Sequence, residues 1–204
     1  MSDHVKVWCL RHAESENVVA GVAGAVPAAA LTALGRYEAA AAARALGGEP
    51  IARIYCSTAV RARQTAAAFA GGRGPGVVAL AELAEVGIGR HEGTSDPAVR
   101  RRTAEVLRAW IIERDLGQRV ADGESGLRVL ARVSAAFRHI ADTHAEETVV
   151  VVGHVASLTL TVASLCGLGS HVWGTPLPHA EPFVVEWDGR SWHCHGWPNL
   201  SDRG

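Results

Sequence analysis

Two histidines stand at the ends of apolar runs, Arg11-His12 after Val5–Leu10 and Gly153-His154 after Thr148–Val152. Arg61 lies just beyond Ile51–Cys56, and three acids, Glu82, Glu85 and Glu92, lie beyond Val77–Leu80. Brought together, these residue types suit a dianionic phosphate. Arginine forks at 11 and 61 can each hold two of its oxygens, matching charge and geometry. One histidine can attack phosphorus through a ring nitrogen. The other can donate to the equatorial oxygens, where negative charge is concentrated in the transition state. A carboxylic acid must protonate the leaving oxygen, and the residue types alone leave Glu82, Glu85 and Glu92 open. Cationic side chains replace a metal here, so neither metal nor cofactor is expected.

Such a convergence needs elements that end at one rim. Val5–Leu10, Ile51–Cys56 and Val77–Leu80 read as strands, and the unbroken β-branched run Thr148–Val152 as a central strand buried on both faces. Thr32 caps a helix over Ala33–Leu46. Ser57 or Thr58 starts another through Ala70, stopped by Gly71-Gly72. Longer helices fall within Ala98–Leu116 and Glu124–His144, and Val155–Cys166 is an apolar helix. Phe183–Trp187 and Ser191–His195 flank Asp188-Gly189, a hairpin signal. Strands alternating with helices predict one α/β domain over 1–204, a three-layer sandwich with a mostly parallel central sheet and helices on both faces. In such sheets ligands bind beyond the carboxyl ends of the strands, where the two histidines and two arginines lie.

Composition narrows the classes further. The 204 residues carry 20 basic and 21 acidic side chains, and Lys6 is the only lysine. That balance gives no bulk attraction to nucleic acid or anionic lipid. No run of ~18 apolar residues suggests a membrane span, and no leader pattern precedes Val5, so a cytoplasmic location is expected. Cys9, Cys56, Cys166 and Cys194 form no CxxC pair and read as reduced structural thiols. His193-Cys194-His195 invites a metal reading. A two-residue turn, however, pairs Val185 with Trp192 and Phe183 with Cys194, turning Cys194 away from both histidines. Arg100-Arg101-Arg102 could grip a second phosphate or a carboxylate, but a solvated helix face is the expectation.

Six ordered segments resemble the histidine phosphatase superfamily, also called phosphoglycerate-mutase-like. Leu10-Arg11-His12-Ala13-Glu14-Ser15 with Asn17 is similar to its Arg-His-Gly-Glu signature, and Leu31-Thr32-Ala33-Leu34-Gly35 to its Leu-Thr-x-x-Gly helix start. Ser57-Thr58-Ala59-Val60-Arg61-Ala62-Arg63-Gln64-Thr65-Ala66 resembles Ser-x-x-x-Arg-Ala-x-Gln-Thr-Ala. Leu83-Ala84-Glu85 with Gly89–Gly93, Gly123-Glu124-Ser125 and Val149–His154 complete the order. The resemblance implies a phosphoglycerate-mutase-like fold and a phosphohistidine formed on His12. It implies a phosphate pocket of Arg11, Arg61 and His154 with Asn17, and it selects Glu85 as the general acid. Arg90, His91 and Val155 are expected to touch substrate; Val155 and His91 stand where many members have glycine and an aromatic, and His179 where a small polar residue is expected.

The expected function is hydrolysis of a small phosphomonoester without a metal. A phosphoglycerate-type phosphomutase is the alternative, followed by a non-catalytic phospho-ligand binder. The short stretch between Glu85 and His154 favours hydrolysis, since the resemblance implies a longer insertion there in cofactor-dependent mutases. Gly87–Arg102 and the apolar segment Val18–Ala30, with Gly21, Gly24 and Pro27, are expected to cap the rim as a hydrophobic wall or lid. The terminal hairpin leaves an edge on which a homodimer could form.

Overall fold

The computed structural model describes residues 3–71 and 74–199, so Gly72 of the expected helix stop lies outside them. Six strands form one sheet: β1 (His4–Arg11), β2 (Ile51–Ser57), β3 (Val77–Leu80), β4 (Thr148–Gly153), β5 (Phe183–Asp188) and β6 (Trp192–His195). Their order is β3-β2-β4-β1-β5-β6. β1 to β4 run parallel, and the hairpin β5-β6 adds antiparallel to β1.

β4 sits inside because its sequence can be dry on both faces. Val149, Val150, Val151 and Val152 are all fully buried, each contributing roughly 1.5–3 kcal/mol relative to exposure. Their alternation divides the core into two layers. Val149 and Val151 join a cluster with Val129, Val133 and Phe137 of α5 (Gly126–Thr143). The helices α4 (Pro97–Arg108) and α6 (Val155–Leu165) cover the same side through Val99, Val106, Leu158 and Val162. Val150 and Val152 face Ala39 and Ala42 of α2 (Ala33–Ala45) and Ala62 and Ala66 of α3 (Val60–Ala70). Small side chains let that second pair of helices lie close to the sheet. The expected sandwich of helices, sheet and helices is therefore present.

Local departures have local causes. Thr32 caps α2 as expected, its hydroxyl accepting from the Gly35 N–H at 3.0 Å. α3 starts at Val60 rather than at Ser57 or Thr58, because Ser57 stays in β2 opposite Leu80 and its hydroxyl accepts from Ala59 N–H instead. A short helix, α1 (Glu16–Val19), carries no apolar periodicity that could have revealed it. The expected helix within Ala98–Leu116 divides into α4, capped by Asp96, and a wide π turn over Ala109–Glu113.

The hairpin register is corrected by two residues: Trp187 pairs with Trp192 and Val185 with Cys194. Asp188 Oδ1 accepts from Arg190 N–H and Ser191 N–H, which holds a longer turn than Asp188-Gly189 alone. An even shift preserves the faces. Trp192 is buried and Cys194 packs against the core, while His193 and His195 are exposed on the opposite face. No described helix is long and apolar enough to cross a membrane. Burial pushes the thiols up, to about 11 at Cys56 and Cys194 and about 12 at Cys166, so they are neutral at ordinary pH.

Candidate active site

Parallel β1, β2 and β4 deliver Arg11, Ser57 and Gly153 to one rim, with Arg11 in register with Gly153. His12 extends this edge by donating its backbone N–H to the Gly153 carbonyl at 3.0 Å. Three further contacts hold the segment after it. Thr65 Oγ1 accepts from Ala13 N–H, Glu38 accepts from Glu14 N–H, and the Thr32 hydroxyl donates to Glu14. Gly35 is required at the start of α2, because a Cβ there would collide with the Glu14 carbonyl oxygen.

The His12 tautomer follows from its partners. Nδ1 lies 2.8 Å from the Ala13 carbonyl, which can only accept, so Nδ1 carries the proton. Nε2 then holds the lone pair and accepts from Arg61 Nε at 3.1 Å. His154, its ring centroid 5.1 Å from that of His12, accepts at Nδ1 from Arg61 Nη2 at 3.2 Å. Its proton therefore sits on Nε2, a buried donor without a partner among the described residues. Arg11 Nε is a second such donor, while Arg11 Nη1 donates to the Leu177 carbonyl.

Burial holds both histidines well below their ordinary 6.5. For His12 the Ala13 hydrogen bond opposes the shift, while Arg61 and Arg11 deepen it. For His154 the neighbouring His12 and Arg61 add to burial. Both rings are thus neutral at pH 7, one presenting a lone pair and the other an N–H. Arg61 is 1% exposed and also donates to the Ala25 and Val26 carbonyls, at 2.8 and 2.7 Å. Val26 meets it with a positive φ of 34°.

A cavity of about 300 Å³ opens beside these groups. Arg11, His12, Asn17, Arg61 and Glu85 form its polar end, and Val155 lines it as well. Asn17 Oδ1 accepts from the Ser15 hydroxyl, which anchors the side chain at the cavity lining. Of the three candidate acids only Glu85 lines it. Glu82 is exposed, and Glu92 is bonded to Ile88 N–H and Ala25 N–H. The Glu85 carboxylate accepts from Val86, Ala156 and Ser157 N–H groups, the last two at the start of α6.

Arg90 and His91, expected to touch substrate, do not line this cavity; they line a separate groove with Val99 and Arg102, and Arg90 pairs with exposed Asp122.

A family model of the histidine phosphatase superfamily (branch 1) matches residues 7–200. The chain belongs to that superfamily. Phosphoserine phosphatase 1 of Hydrogenobacter thermophilus is 28% identical over 188 residues, covering 91% of this chain and 88% of the relative. An adenosylcobalamin/alpha-ribazole phosphatase of Salmonella typhimurium is 28% identical over 162 residues, 79% of each chain. The solved structure of Bacillus stearothermophilus YhfR superimposes with a TM-score of 0.83 at 26% identity, covering 97% of this chain and 98% of that one.

Several supports of this histidine phosphatase site carried no separate sequence signal. Arg132 forms a two-pronged ion pair with Glu124 and donates to the carbonyls of Glu82, Ala84 and Glu85, clamping the Glu85 loop. The Gly123-Glu124-Ser125 motif marked one half of that clamp without showing its role. His179 Nδ1 lies 3.0 Å from the His12 carbonyl and supports the His12 segment from the other side.

Proposed function

We propose that this chain hydrolyses a small phosphomonoester through a phosphohistidine on His12, without a metal ion. The carrying observation is the pairing of a neutral, correctly protonated His12 with two unpartnered buried donors, His154 Nε2 and Arg11 Nε. Phosphate oxygens take those donors and the Arg61 N–H groups, which frees the Nε2 lone pair of His12. Nε2 then bonds phosphorus as the phosphorus–oxygen bond to the alcohol breaks, and Glu85 gives its proton to the leaving oxygen. The imidazole becomes cationic, and the Ala13 carbonyl accepting from Nδ1–H steadies that charge. Water next attacks phosphorus while Glu85 takes its proton, returning neutral His12 and releasing inorganic phosphate. The donors at the transferred group carry the charge compensation for which other phosphoryl-transfer sites use metal ions. The names of the two relatives, both phosphatases, support the hydrolytic reading.

The test is phosphate release from an aryl phosphate by the wild type and by His12→Ala in excess EDTA. Activity in the wild type that falls by roughly 10³-fold or more in the variant is expected for loss of a nucleophile. Absence of release by the wild type, or activity that EDTA removes, overturns the proposal. An acid-labile phosphohistidine formed from a bisphosphorylated glycerate would then identify the mutase.

A further inference from the structure

The three arginines of α4 do not share one environment. All three are exposed, and Arg102 pairs with Glu105 and Gln118. Arg100 lines the active-site cavity, with Thr103, Ala104 and Leu107 continuing the same helix face at one-turn spacing. Its guanidinium forms no ion pair among the described residues and lies against Gly21, where a Cβ would stand 2.9 Å from Nη1. Gly21 also has a φ of 64°, so glycine serves both the turn and the space beside Arg100.

The rest of the lining divides by chemistry: the phosphate-binding groups of the proposed site, and apolar side chains, among them Val22, Val86, Ile88, Leu107 and Val155. Thr103 adds no free donor toward a ligand, since its hydroxyl donates to the Val99 carbonyl of its own helix. A solvent-exposed cation without an ion pair among the described residues, lining the same cavity as these apolar side chains and the phosphate-binding groups, matches a ligand that carries a second anion on an apolar stem.

We propose that Arg100 is a specificity-determining residue, reading a second anionic group, carboxylate or phosphate, on the substrate's leaving portion. This rests on the phosphomonoesterase reading of the same site. Arg100 holds the tail and takes no part in the chemistry at phosphorus.

Four para-substituted aryl phosphates test it: unsubstituted, carboxamide, carboxylate and second phosphate. The wild type is expected to favour at least one anionic tail over the carboxamide by roughly tenfold in kcat/KM, through KM, as for a charge-assisted hydrogen bond. Arg100→Gln should erase that preference, bringing kcat/KM for the anionic substrates down to that for the carboxamide, and Arg101→Gln should leave the preference as in the wild type. The anion with the larger preference identifies the tail. A wild type indifferent to tail charge, or a preference that survives in Arg100→Gln, overturns the proposal. Failure of the phosphatase reading looks different, because then no phosphate leaves any of the four.

Discussion

Arg61 Nε donates to His12 Nε2 across 3.1 Å, so one guanidinium both prepares the phosphate site and covers the lone pair that would attack phosphorus. The same side chain ties down Ala25 and Val26 of the capping segment and bonds His154. In the proposed reaction a substrate phosphate competes for a cation that already has acceptors. Binding exchanges one set of charge-assisted bonds for another rather than filling an idle fork.

Arg61→Ala should consequently damage more than catalysis. Loss of transition-state donors is expected to cost roughly 10²–10³ in kcat. The orphaned carbonyls and ring nitrogens should cost about 1–3 kcal/mol of stability each where they stay dry. Steady-state kinetics, urea unfolding and hydrogen exchange over residues 20–30 measure the three effects. A variant with wild-type exchange protection in that segment would show that the Arg61 ties do not hold it.

Glu85→Gln should separate leaving groups. For alkyl phosphates, whose leaving oxygen must be protonated, the rate should fall by roughly 10²–10⁴. For 4-nitrophenyl phosphate, whose leaving group departs as a stable anion, the phosphorylation step should suffer far less. Equal losses in single-turnover measurements would remove Glu85 from the role of acid.

The cap can be probed at two valines that the sequence treats alike. Val22 lines the cavity, whereas Val19 is 66% exposed and lies outside it. Val22→Asp should lower kcat/KM for aryl phosphates about tenfold or more by placing a charge on the apolar wall, and shift preference towards polar sugar phosphates. Val19→Asp should leave the substrate ranking unchanged. A substrate panel covering aryl, sugar and nucleotide phosphates decides it.

Stability should fall as pH drops below about 6.5. Burial keeps His12 and His154 neutral in the folded chain, while the unfolded chain protonates them near 6.5. The unfolded state then binds more protons, so each ring removes up to about 1.4 kcal/mol per pH unit until its folded-state value is reached. Urea midpoints between pH 7.5 and 5 measure the slope, and His154→Gln should reduce it. An unchanged slope in that variant would exclude His154 as a contributor.

Much of the framework was readable because it depends on local pattern. The β-branched run Thr148–Val152 could only be a buried strand, and the alternation of strands and helices implied the parallel sheet and its rim. Thr32 announced a helix start through its own hydroxyl. The hairpin register was less readable, because Asp188 accepts two backbone donors and lengthens the turn. Its shift by two residues kept the predicted faces, since side chains alternate with period two.

The sequence by itself determined the parts of the site: Arg11, His12, Arg61 and His154 follow recognisable segments, and Glu85 emerges once the family resemblance is added. Tertiary structure alone decided which nitrogen of His12 is free, since that depends on Ala13 and Arg61 lying on opposite sides of one ring. It also placed Arg90 and His91 in a separate groove and brought Arg100, but not Arg101 or Arg102, to the cavity. Neighbouring charged residues have similar local propensities; only the packing of α4 and the Gly89–His91 turn determines which side chains line the cavity.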